Sequence, residues 1–193
     1  VDIIPFVFPG LPNVRCVFST RGGGGGFGDG NISFAVGDNP DRVAAARSLL
    51  LQHLACEHFA ELNQVHGDIL IFEPDAVACD AQPRADGDGM ATSAAGLALV
   101  IRTADCQPLL LAHNSCKYVA ALHVGWRGNR CIFRLRACGG FAKGTPCPRR
   151  MFWQCAGQVW GRQWRSLSIL SKNGAQCSRR GLTPPHAQWT SGA

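Results

Sequence analysis

Three short apolar runs, Leu97 to Ile101, Leu109 to Ala112 and Tyr118 to Val124, follow one another inside GLALVIRTADCQPLLLAHNSCKYVAALHVGWRG, residues 96–128. Each is rich in Val, Leu and Ala and stops at polar or glycine punctuation. Runs of that length and composition read as buried β-strands rather than helices. Thr103-Ala104-Asp105-Cys106 lies between the first two, and the third ends in His123-Val124-Gly125-Trp126-Arg127-Gly128. Reactive residue types therefore fall at strand ends, where a rigid scaffold can hold them toward one cavity.

The flanking sequence supplies further elements. Val14 to Thr20 reads as a strand, opening into the glycine run Gly22 to Gly26. That run lacks the G-K-[ST] of a P-loop, so Arg21 beside it is either a phosphate contact or a solvated loop residue. Asn39-Pro40 is a helix start, with Asn39 at the N-cap and Pro40 in the first position; Val43, Ala44, Leu49 to Leu51 and Leu54 carry its apolar face to about Ala55. Phe59 to Val65 and Asp68 to Phe72 read as two strands separated by His66-Gly67. The expected fold is α+β, a mixed β-sheet with flanking helices and a pocket at the strand ends. A chain of 193 residues is long enough to bury its core as one domain.

Three sequence motifs, NQVHG at Asn63 to Gly67, TADCQP at Thr103 to Pro108 and LHVGWRG at Leu122 to Gly128, occur in one order. In that order they resemble the laccase-domain proteins, also called multicopper polyphenol oxidase-like proteins, peptidoglycan editing factors or YfiH-type purine nucleoside phosphorylases. The resemblance covers about residues 1–128. It implies a YfiH-like fold and a metal held by His66, Cys106 and His123, with Asp105, Cys106 and His123 as catalytic residues. It also makes Arg21 and Arg127 the phosphate or substrate contacts. Asp88 and Thr92 fall in a segment similar to the family's D-G-D/A-x-x-T and are candidate pocket residues, although a turn before a strand explains them equally well. On the residues alone, Cys106 is as readily a buried structural cysteine, and Trp126 at a strand end is more commonly core than a purine-stacking surface.

Two imidazoles and one thiolate suit catalytic zinc, which takes three protein ligands and keeps one position open. Copper is the runner-up, since the same trio is the equatorial shell of a blue-copper site. A multicopper laccase needs many more imidazoles than the 6 His of this chain, and no H-x-H pair occurs, so the polyphenol oxidase reading fails on ligand counting. The resemblance then implies purine nucleoside chemistry: phosphorolysis of adenosine, inosine or methylthioadenosine, with purine nucleoside and phosphate as partners, and adenosine deamination. The H-x-E signature of zinc deaminases is absent, so deamination needs another proton carrier. Without metal, Cys106 and His123 form a nucleophile–base pair instead.

After Gly128 the composition changes. Residues 1–128 carry 8 Lys/Arg against 13 Asp/Glu, whereas residues 129–193 carry 11 Lys/Arg, no acidic residue, and 4 of the 5 Trp. No helix or strand period of useful length runs through that segment, which no longer resembles the family. One reading is a basic, Trp-bearing nucleic-acid-binding tail; the more economical one is a shifted reading frame of a GC-rich gene. The expected organisation is an incomplete laccase-domain core over 1–128 and a poorly ordered tail over 129–193. On this expectation the strands of the core lose their flanking partners and activity is impaired. The 10 Cys form no C-x-x-C pair and read as reduced, mostly buried thiols. With no apolar window of membrane-spanning length and no signal-peptide pattern, a cytoplasmic location is expected. The chain begins with Val1, as a fragment would.

Overall fold

The strand expected over Val14 to Thr20 forms over those residues (β2) and pairs antiparallel with Asp2–Val7 (β1). Pro5 can sit in β1 because that strand is the edge of its sheet, where a missing N–H costs no ladder bond. The structure is a computed structural model and describes residues 2–20, 30–103 and 106–130, with the backbone of 153–157 and 166–172.

The helix α1 spans Pro40–Leu54. Its N-cap is Asn39, whose Oδ1 accepts from the N–H groups of Asp41 at 2.8 Å and Arg42 at 3.3 Å, satisfying two donors that the first turn leaves unpaired. Leu50, Leu51 and Leu54 pack with Val17, Phe59, Ala98 and Val100 against the first sheet. Arg47 is buried among them, an exception to the apolar stripe. Its guanidinium donates to Ile32 O at 2.8 Å and to Glu61 Oε2 at 2.5 Å, and Glu61 Oε1 lies 2.9 Å from Arg102 Nε.

The remaining strands are His58–Glu61 (β3), Leu70–Phe72 (β4), Gly89–Thr92 (β5), Leu97–Thr103 (β6), Gln107–His113 (β7) and Val119–Val124 (β8). A short helix, Trp126–Arg130 (α2), follows β8, and Trp153–Gly157 (β9) and Ser166–Lys172 (β10) come from the basic segment. One mixed sheet was expected; the strands form two of five, in the orders β1-β2-β10-β6-β3 and β4-β5-β8-β7-β9. Alternation along the strands explains the pairing of layers. Leu97, Leu99 and Ile101 of β6 face Leu110 and Ala112 of β7 and Val119 and Ala121 of β8 in a core between the sheets. Leu109, Leu111, Ala120, Leu122 and Val124 form a cluster on the other face of the second sheet.

The segment without evident periodicity contributes two strands, so that β6 lies between β10 and β3, while β8 lies between β5 and β7. The strand expected over Phe59 to Val65 stops at Glu61; beyond it Asn63 bridges Asp86, its N–H donating to Ala85 O and its carbonyl accepting the Gly87 N–H. Among the described residues no helix is long and apolar enough to cross a membrane.

Candidate metal centre

The pairing of β7 with β8 places Pro108 opposite His123 and Gln107 opposite Val124. The residue before β7, Cys106, therefore comes beside the residue after β8, Gly125. His123 shares the side of β8 that Val119 and Ala121 turn to the inter-sheet core, and it is buried where that core ends. The third group, His66, arrives from the loop between β3 and β4. One ligand atom from each of His66, Cys106 and His123 lies within 4.8 Å of the other two, and the two imidazole rings meet edge to face with centroids 4.8 Å apart.

Asp88 organises both histidines. It is fully buried just before β5. Its Oδ1 lies 2.7 Å from His123 Nδ1 and accepts the His66 N–H at 2.9 Å, while Oδ2 accepts the Gly67 N–H at 2.7 Å. The same residue's carbonyl accepts the His123 N–H at 2.7 Å. A carboxylate on Nδ1 fixes the proton there, so Nε2 keeps its lone pair for a ligand. Burial holds the His123 pKa below its ordinary value, against the opposing pull of Asp88, so the ring stays neutral. The two bonds to the 66–67 backbone also fix His66 in the left-handed region, at φ 60°, a conformation that costs a non-glycine residue of order 1 kcal/mol.

Gly125 leaves the room. A Cβ at that position would stand 2.9 Å from His66 Cδ2 and 3.4 Å from Cys106 Sγ, so any larger residue intrudes on two of the three donors. The donor set fits a divalent ion. Tetrahedral zinc, with Zn–S near 2.3 Å and Zn–N near 2.0–2.1 Å, keeps its donors roughly 3.4–3.7 Å apart, so separations of up to 4.8 Å need to close by about 1.1–1.4 Å at most.

The other expected site residues divide. Arg127 lies on α2, directly after Gly125, exposed, with its guanidinium carbon 5.1 Å from the Trp126 ring centroid. Trp126 is 61 % exposed, so it is a surface residue beside the trio and not core. Thr92 is distant: it pairs with Val119, four residues along β8 from His123, or about 13 Å at strand rise. Its hydroxyl donates to Glu73 and closes a turn. Arg21 and Asp105 fall outside the described residues. Gly125 and Gln64 are not distinguished in the sequence by residue type or spacing; the one signal for Gly125 is its place immediately after a strand that ends in a candidate ligand.

A two-sheet α+β fold that gathers two histidines and a cysteine beside the ends of β7 and β8 is that of a candidate metal-binding protein. The model of the multi-copper polyphenol oxidoreductase laccase family matches residues 15–142, and the chain belongs to that family. The match runs past Gly128, where the resemblance of the motifs ends. A purine nucleoside phosphorylase of Deinococcus radiodurans is 38 % identical over 132 residues, covering 62 % of this chain and 49 % of the relative. One from Xylella fastidiosa is 41 % identical over 106 residues, covering 51 % and 39 %. The chain thus spans about half the length, or less, of these curated relatives. Among solved structures, a Neisseria meningitidis protein superposes with a TM-score of 0.66 at 18 % identity over 90 % of this chain and all of that one. YlmD from Geobacillus stearothermophilus gives 0.63 at 24 %, over 77 % and 59 %; both show the fold.

Proposed function

We propose that this chain is a zinc-dependent purine nucleoside phosphorylase whose centre is His66, Cys106 and His123. The observation that carries the reading is the meeting of those three donors around the space left by Gly125, in a chain whose relatives are named purine nucleoside phosphorylases. Zinc there would act as a Lewis acid toward phosphate or water.

The chain's own groups supply the rest. Asp88 holds the His123 ring with Nε2 turned to the centre and clamps the loop that delivers His66. Trp126 offers an exposed indole face beside the trio, on which a purine can stack. Arg127, the next residue, would pair with phosphate, and Arg21 and Asp105 would take the phosphate-contact and acid–base roles that the family motifs give them. A reducing, cytoplasmic setting suits the reading, because a ligand cysteine has to be kept out of a disulfide.

The test is release of free purine base from adenosine, inosine and methylthioadenosine on addition of inorganic phosphate. The reaction should require phosphate and disappear in Cys106→Ala and after chelation. Base release that needs neither phosphate nor Cys106 excludes the proposal, and ammonia release from adenosine would add deamination to it.

A further inference from the structure

The geometry points to Gln64 as a positioning residue that ties the loop carrying His66 to the strand that leads to Cys106. The inference rests on the metal-centre reading above. Its starting point is the way β3 and β6 part company. They pair in parallel from His58 opposite Leu97 to Glu61 opposite Val100. A further step of the parallel ladder would set residue 63 opposite Arg102, with the Arg102 N–H donating to the Leu62 carbonyl and the Arg102 carbonyl accepting the Gln64 N–H. The ladder instead ends at Glu61, and the chain beyond it is held on its other side, where the Asn63 N–H donates to Ala85 O at 2.9 Å and its carbonyl accepts the Gly87 N–H at 3.1 Å.

The Arg102 N–H and C=O would then lack the partners that a longer β3 supplies on this side. Gln64 supplies them with its side chain. Its Nε2 donates to Arg102 O at 2.7 Å, and its Oε1 accepts the Arg102 N–H at 2.8 Å. A primary amide presents both N–H donors and a C=O acceptor, so the Gln64 side chain makes the two bonds of one further rung while its backbone leaves the sheet. That departure lets residues 66 and 67 reach across to Asp88.

The consequence is a fixed separation between two ligand-bearing segments. Gln64 stands two residues before His66, and Arg102 four before Cys106. Asp88 ties His66 to His123, and the β7–β8 pairing ties His123 to Cys106. Gln64 closes the third side. Glu61 anchors the same Arg102 from its side chain, but the guanidinium is a flexible attachment that does not set the backbone position.

Metal-free protein titrated with Co2+ tests this without relying on turnover, since thiolate ligation gives a charge-transfer band and ligand geometry sets the visible d–d intensity. The native chain should show a thiolate band that is absent from Cys106→Ala. Gln64→Ala should bind Co2+ about 10- to 100-fold more weakly, as outer-shell partners of metal ligands do, with altered d–d intensity. Gln64→Glu, which keeps the size and one acceptor, serves if the alanine variant does not fold, and should also weaken binding. Thr92→Val, which removes a turn hydrogen bond away from the site, controls for general destabilisation and should leave the cobalt spectrum unchanged. Native-like affinity and spectrum in both Gln64 variants would overturn the positioning role while leaving the centre intact. A native chain without a Cys106-dependent band would overturn the centre itself, and the role of Gln64 with it.

Discussion

Gly125→Ala separates the proposed metal centre from the fold more cleanly than removal of a candidate ligand does. The new methyl would stand 2.9 Å from His66 Cδ2, whereas carbon atoms rest about 3.5–4.0 Å apart. The ring must therefore retreat by about 0.6–1.1 Å. Gly125 is not in the left-handed region, so alanine fits its backbone, and lower entropy of the unfolded chain contributes about 0.4–1 kcal/mol toward stability. His66 is exposed, so its ring can swing outward without disturbing the core. Although Gly125 is buried, the contact is relieved by the swing of an exposed ring, so stability of the metal-free protein should stay within about 1 kcal/mol of native. Zinc affinity should fall by a factor on the order of 10–100, the scale on which small misplacements of ligands and their supports act. Urea unfolding in the presence of chelator gives the first quantity, and competition with a chromophoric chelator the second. Native zinc affinity in Gly125→Ala would refute the claim that this glycine keeps the cavity open for an ion between His66 and Cys106.

Asp88→Asn should weaken zinc binding at least about 10-fold and destabilise the metal-free chain, since hydrogen bonds to a charged group contribute about 1.5–3 kcal/mol each; chelator competition and urea midpoints measure both, and a native-like variant would remove Asp88 from the support of the centre. Arg47→Ala leaves Glu61 buried with one partner fewer and should cost about 3–5 kcal/mol without changing the metal affinity of the variant that remains folded. Burial holds the pKa values of His113 and His123 below the ordinary imidazole value, so the unfolded chain takes up protons first on acidification. Their contribution to metal-free stability is therefore full above about pH 6.5 and is lost as pH falls through the lowered folded values; urea midpoints that rise on acidification over that window would show the sign to be wrong. Trp126→Ala should raise KM for the nucleoside by about 5- to 100-fold, the range that stacking on an aromatic ring supplies, with unchanged zinc content.

The strands that present Cys106 and His123 are legible in the sequence because each is a short, bounded apolar run. The alternation that separates the two cores can be read from Leu97, Leu99 and Ile101 against Ala98 and Val100. The helix start at Asn39-Pro40 is equally local, and its cap forms as the residue types dictate. Partition into two sheets depends on which strands pair across long separations, and no local pattern states that. The strand Ser166–Lys172 shows a brief Ser/Leu alternation, hidden by the basic composition around it. The gathering of His66, Cys106 and His123 was legible only through the family motifs, because the ligands lie far apart in the chain. Asp88 read equally well as a turn residue: a carboxylate in an Asp-Gly-Asp-Gly run looks solvated until β5 and β8 pair and bury it against His123. Gln64 offered no signal, since its role comes from the point at which β3 leaves β6.

Metal content of the purified protein, determined by elemental analysis beside His66→Ala, Cys106→Ala and His123→Ala, bears most directly on the centre. The expected result is about one zinc per chain in the native protein, matching one three-ligand site, and a loss of it in each variant. Zinc content unchanged in Cys106→Ala would contradict the assignment, because the thiolate is the one sulfur donor in the set.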